Sequence, residues 1–210
     1  FFTQEDIKSL SKYKTLIDDQ SKEGNYEFYD KTMEIYERRI SQNEQWYKEF
    51  LAQKMEFDSD ETYTIDDDEP FAKNDAELKE RVRKSIKYAV MTRLASSIET
   101  QNEFKDRKDT MVKILPMDSL EFNARKGVLK SQDDFIKRWK KVQPVEKMSY
   151  YINAITSVFD PHTNYFPPAD KENFDISMSG RLEGIGASLQ EKDGYIKVVR
   201  IVPGSPSALQ

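Results

Sequence analysis

Residues 74–98, NDAELKERVRKSIKYAVMTRLASSI, decide the fold class. Asn74 followed three residues later by Glu77 is a capping signal that opens a helix. Leu78, Val82, Ile86, Ala89, Val90 and Leu94 then recur at spacings of three and four, which places them on one helical stripe. The remaining positions are largely Lys, Arg, Glu and Ser, so the other face is solvated. The stripe predicts a helix that continues past Ile98.

Working outward toward the N-terminus, the acidic run from Asp58 to Pro70 reads as a connection. Asp66-Asp67-Asp68-Glu69 could hold a hard cation such as calcium, but the spaced ligands and glycine of a dedicated calcium loop are missing. Before it, Tyr29, Met33, Tyr36, Ile40, Tyr47, Phe50 and Leu51 keep helical spacing, which predicts a long amphipathic helix to about Phe57 whose aromatic stripe is core. Gly24-Asn25 separates this from a first helix predicted from Thr3 to about Gln20, carrying Ile7, Leu10, Tyr13, Leu16 and Ile17.

Toward the C-terminus, Thr100 to Lys113 is very polar and reads as a helical extension plus a connection. Ser131 with Asp134 repeats the capping signal, so a helix is expected to start there, carrying Phe135, Trp139 and Val142 and ending at Pro144. Tyr151, Ile152, Ile155, Val158 and Phe159 mark another helix, terminated by Asp160-Pro161. Composition changes at Pro167-Pro168. Beyond Leu182 short strand-like runs, Ile185 to Gln190 and Tyr195 to Val202, flank an Asp193-Gly194 hairpin signal. The turn Pro203-Gly204-Ser205-Pro206 precedes a helix start at Ser207-Ala208-Leu209. The fold class is therefore mainly α: a helical domain at about 1–175 and an incomplete β-containing module at about 180–210.

Composition bounds the function. The 210 residues carry 33 Lys+Arg against 38 Asp+Glu, a net charge of −5, which offers no electrostatic footprint for nucleic acid or anionic lipid. Charged residues make up 34% of the chain, enough to raise the question of disorder, but 12 Phe, 11 Tyr and 2 Trp argue for a buried core. With no Cys there is no disulfide, thiolate metal site or cysteine nucleophile. No stretch approaches the roughly 18 apolar residues of a membrane span. Phe1-Phe2-Thr3 lacks a signal pattern, so a targeting segment in the parent protein would precede this chain. No cofactor is implied.

The single His162 would have to serve any Ser-His-Asp triad. Its place after a helix terminus in Asp160-Pro161-His162-Thr163 suits a structural turn instead. The segment Glu183-Gly184-Ile185-Gly186-Ala187-Ser188-Leu189 says more. Two glycines around one aliphatic residue at the mouth of a strand let backbone N–H groups converge on a carboxylate, and the strand beginning there offers an edge for an added peptide. An ordinary bulge or tight turn explains the same glycines.

Several strings then form a recognisable order: Asp160-Pro161-His162-Thr163-Asn164-Tyr165-Phe166, Phe174-Asp175-Ile176-Ser177-Met178-Ser179, Leu182-Glu183-Gly184-Ile185-Gly186-Ala187 and Ile201-Val202-Pro203-Gly204-Ser205-Pro206. They resemble the C-terminal processing peptidases, or tail-specific proteases. Lys12-Tyr13-Lys14 and the Asn74 helix start resemble the helical N-terminal domain of the longer bacterial members. The resemblance implies a helical domain, then a PDZ domain that captures free C-termini of protein substrates, then a protease domain with a Ser-Lys dyad. It places the peptide carboxylate at Gly184, Ile185, Gly186 and Ala187, with Ser188 and Leu189 continuing the groove. It also implies a periplasmic serine endopeptidase as parent, no catalytic residue within this chain, and protein or peptide substrates as partners. A non-enzymatic peptide-binding or scaffold module is the alternative. The terminal hairpin, with two strands and apolar side chains, is expected to favour self-association.

Overall fold

In the computed structural model, residues 1–210 are described except 65, 67, 108–113, 180–183, 193–194 and 210. The described residues form seven α-helices and one two-stranded antiparallel sheet, so the chain is mainly α. They divide into two compact units, Phe1–Val142 and Gln143–Gln210.

The first unit is built on three long helices, α3 (Glu27–Ala52), α4 (Asp75–Asp106) and α5 (Met117–Lys141), each packed on the other two. The stripe read from residues 74–98 is its centre. Ile86, Val90 and Leu94 of α4 are buried against Ile40, Tyr47 and Leu51 of α3 and Leu120, Ala124, Val128 and Ile136 of α5. Burying a side chain of this size contributes about 1.5–3 kcal/mol. The Asn74 side chain accepts from Glu77 N–H at 3.0 Å, as the spacing predicts, while Glu77 reaches back to the Lys73 N–H at 2.9 Å.

α3 stops at Ala52 rather than near Phe57, and the reason lies on α5. The buried Glu121 carboxylate accepts from the Met55 N–H, and Arg125 donates to the Leu51 carbonyl, so side chains of α5 satisfy the backbone where α3 unwinds. Met55 and Phe57 still pack on the core from an extended segment.

The expected start at Ser131 is corrected. α5 runs unbroken through it, and the Ser131 hydroxyl donates to the Gly127 carbonyl four residues back, inside the helix. Pro144 does not close that helix but occupies the first turn of the next, where a missing N–H costs nothing.

The predicted first helix is broken as well. α1 (Gln4–Leu10) gives way to a 3₁₀ turn at Ser11–Tyr13, and α2 (Ile17–Glu23) follows, ended by Gly24 at φ +68°. The Ser9 and Ser11 hydroxyls donate to the carbonyls of Asp6 and Lys8. The turn carries Tyr13 inward, edge-on to Phe28, where its hydroxyl donates to Glu27. Leu10, Tyr13 and Ile35 form a second, smaller core.

Beside that core sits a buried ionic cluster. Arg39, on the packed face of α3, donates to Asp6 of α1 at 2.7 Å and to Asp75 at the start of α4 at 2.6 Å, and also to Thr3 and Gln42. Asp6 also caps its own helix by accepting from Thr3 N–H, and it accepts from Arg38. Burial alone would raise the Asp6 carboxyl, but the Thr3 N–H, the Arg39 guanidinium and the Thr3 hydroxyl outweigh it and hold it below the usual carboxylate value.

In the second unit, α6 (Pro144–Phe159) ends at Asp160 as expected, and α7 (Pro168–Ser179) follows the Pro pair, a helix the sequence reading does not anticipate. The sheet comprises β1 (Ala187–Lys192) and β2 (Tyr195–Ile201), whose register pairs Ala187 with Ile201 and Gln190 with Lys197. The Asp193-Gly194 turn and the start at Leu182-Glu183 lie outside the described residues. Pro206–Ala208 forms one 3₁₀ turn where a helix start is expected. No described helix is long and apolar enough to cross a membrane.

Candidate functional site

The glycine segment leads directly into β1. Gly186 adopts φ +72°, a left-handed conformation that L side chains rarely adopt, and a Cβ there would run into Ser205 Cβ and Oγ. Two independent constraints therefore fix glycine at 186. Gly184 differs, because a Cβ on it meets open space.

The turn after β2 folds back on this segment and takes up its carbonyls. Val202 N–H donates to Gly186 O at 2.8 Å and the Ser205 hydroxyl donates to the same atom at 3.1 Å. Ser207 donates to Ile185 O from both its N–H (3.2 Å) and its hydroxyl (2.6 Å). Among the described residues nothing accepts from the N–H of Gly184, Ile185 or Gly186.

Ser188 and Leu189 continue into β1 opposite Arg200 and Val198, with a bulge between them that leaves Val199 of β2 as the extra residue. The other edge of β1 carries no strand among the described residues, so alternate residues direct N–H and C=O groups outward. Ile185 and Leu189 are both more than half exposed beside it. The arrangement can therefore accept an anion at one end of an open strand edge and apolar side chains along it.

Ser205 and Ser207 shape this candidate segment, and the sequence reading does not single them out. It identifies the Pro203–Pro206 turn, but not that its hydroxyls reach back about twenty residues. A serine on each side of Pro206 was the available signal, since hydroxyls in turns commonly satisfy backbone carbonyls.

His162 stands in a local turn. Asp160 Oδ1 accepts the His162 N–H at 3.0 Å and faces its ring Nδ1 at 3.1 Å, while Oδ2 accepts the Thr163 hydroxyl at 2.7 Å. The His162 N–H, the Thr163 hydroxyl and the His162 ring hold the Asp160 carboxyl below its usual value. The ring is almost wholly exposed, and no serine hydroxyl meets it among the described residues. In the acidic run, the Asp66 carboxylate accepts from the Asp68 N–H, and no group of three or more metal-ligating side chains converges among the described residues. Asp67 lies outside them.

The class these observations define is that of a mainly helical N-terminal unit followed in sequence by a two-stranded β-element that opens at a glycine turn. A family model described as the tail specific protease N-terminal domain matches residues 1–169, and the chain belongs to that family. Over 72 residues it is 36% identical to the tail-specific protease of Haemophilus influenzae, a stretch covering 34% of this chain and 10% of that relative. Over 53 residues it is 42% identical to the carboxy-terminal processing protease CtpA of Bacillus subtilis, covering 25% of this chain and 11% of the relative. The matched stretches thus span about a tenth of either relative's length.

Proposed function

We propose that this chain is the substrate-recognition part of a periplasmic tail-specific serine endopeptidase, with a helical domain at about 1–175 and the first part of a PDZ domain at about 180–210. Gly184, Ile185, Gly186 and Ala187 bind the terminal carboxylate of a protein substrate, and the open edge of β1 at Ser188 and Leu189 takes the preceding residues by strand addition. Cleavage belongs to a Ser-Lys dyad outside this chain, in which the Lys is general base for the Ser, so the chain alone cleaves nothing. Family membership supports the protease setting. The observation that supports the binding role is that, among the described residues, nothing accepts from the N–H groups at the mouth of β1 and no second strand lies on its outer edge.

Titrating a labelled apolar peptide with a free C-terminus tests this. Weak binding is expected, because the sheet has two strands among the described residues, and a strand pair alone makes a shallow groove. Amidating the peptide, or Gly186→Val, should abolish it, whereas Gly184→Ala should change it little. Affinity indifferent to amidation would end the carboxylate assignment.

A further inference from the structure

The first unit holds an open cleft of about 930 Å³ bounded by α3, α4, α5 and two arms of chain, residues 62–64 and 69–72, within the size range of natural ligand sites. Its walls are Trp46 of α3, Val82 of α4, Phe135 of α5, and Tyr63 and Phe71 from the arms. Tyr63, Phe71 and Phe135 are each 37–50% exposed, so a concave surface presents aromatic faces to water.

Two observations indicate what such a cleft takes. The first is charge: Arg39, Arg81 and Lys84 line it together with Glu69, Glu77 and Glu80, three cations against three anions. Arg39 is engaged by Asp6 and Asp75, and Arg81 holds Glu77 and the Pro70 carbonyl. The balance favours an occupant without charge.

The second is an example within the chain. Phe1-Phe2-Thr3 lies at the lip of the cleft, where Thr3, with extended backbone, makes a parallel bridge to Ala72 and Gln4 N–H donates to Ala72 O at 2.8 Å. Phe1 and Phe2 both line the cleft, with their rings 5.8 and 6.3 Å from that of Tyr36. A chain segment bearing aromatic side chains is thus already held at this lip by one backbone hydrogen bond, with its rings packed on Tyr36 of α3 just outside the lining.

We propose that the cleft docks a short, extended, uncharged polypeptide segment bearing aromatic or large aliphatic side chains, a feature of unfolded protein that does not involve a chain terminus. This rests on the reading that the protein acts on polypeptides. It gives the helical unit a hold on substrate separate from the carboxylate loop.

The probe is a fluorescein-labelled Phe-Ala-Phe-Ala peptide, acetylated and amidated so that the carboxylate loop has nothing to bind. Its anisotropy is followed against the full chain. Saturable binding is expected, unchanged by Gly186→Val. It should weaken at least about tenfold in Phe71→Ser and in Ser85→Glu, exposed lining positions that remove an aromatic wall or insert a charge. Both variants should melt within a few degrees of the parent. In a Trp139→Phe background, where Trp46 is the remaining tryptophan, unlabelled peptide should shift Trp46 emission with the same midpoint. Absence of saturable binding, or equal affinity in both cleft variants, would overturn the site. So would a Trp46 shift that follows protein concentration without peptide, which would make a second copy the occupant.

Discussion

Phe1–Val142 and Gln143–Gln210 are written in similar residues but differ in what they enclose. In the first unit three helices share one closed cluster of apolar side chains, down to Tyr47 and Val90 at 0% exposure. In the second, Ser149 and Pro167 alone are fully buried among the described residues, while Val158, Phe159 and Met178 on its helices stand 72–85% exposed and every residue of β2 is exposed. Helical periodicity is present in both. It predicts that a face is apolar, but not that the face is covered, and in the second unit apolar side chains stay exposed among the described residues.

That contrast can be broken most severely at Arg39. Arg39→Ala would strand the buried Asp6 carboxylate, and removing one partner of a buried ion pair costs about 3–5 kcal/mol. The expected result is a large loss in the melting midpoint of the first unit. A loss no larger than that of a surface substitution would show that the cluster is hydrated and replaceable.

A matched pair sharpens the comparison. Ile86→Ala, in the closed core, should cost about 2–5 kcal/mol by leaving a cavity. Ile196→Ala, on the exposed hairpin, should stay within about 0.5 kcal/mol. Urea unfolding of the two variants measures the difference, and equal costs would mean that the hairpin is covered in solution.

Acid should act on the ionic cluster next. The folded-state values of Asp6 and Asp75 lie below the ordinary 3.8, the latter held down first by Arg39. Their contribution to stability is therefore full above that pH and is lost as pH falls through the lowered values. The melting midpoint should decline below about pH 4, with amide exchange in α1 rising first. Asp6→Asn should start less stable at neutral pH and show a shallower acid decline.

The smallest effect concerns association. We expect the exposed hairpin, with open edges and Ile196, Val198 and Val199 uncovered, to pair weakly between copies. Light scattering over a concentration series should show growth for the full chain and less for one ending at residue 180. A chain that stays monomeric at the highest concentration would refute it.

The legibility of the sequence follows the range of the interactions. Asn74 with Glu77, Gly24 after α2, and Asp160 after α6 act within a few residues, and each marks a real boundary. Ser131 with Asp134 has the same spacing as Asn74 with Glu77, yet lies inside α5, because Ile136 and Trp139 continue a stripe that already includes Val128 and packs on the same core. Tertiary packing overrides a local capping preference. The early end of α3 depends on Glu121 and Arg125, some seventy residues away, and no window around Ala52 contains them. Arg39 was readable in principle: a cation three residues after Tyr36 and one before Ile40, on the face reserved for apolar residues, indicates a buried ion pair. In the candidate site, Gly186 could be read from its spacing, but the Ser205 and Ser207 contacts that shape its turn could not.

The Arg39 cluster also bears on the order in which the chain acquires its structure. Seven residues are too few for α1 to persist alone, since isolated helices shorter than about 12–15 residues are marginal in water. Asp6 meets Arg39 across 33 residues and Arg39 meets Asp75 across 36, so α1 gains its anchor only once α3 and the start of α4 have come together. The N-terminal segment is thus a late arrival on the folding route. Truncating Leu10 to Ala should quicken unfolding while leaving the refolding rate nearly unchanged, the kinetic mark of contacts made after the barrier has been crossed.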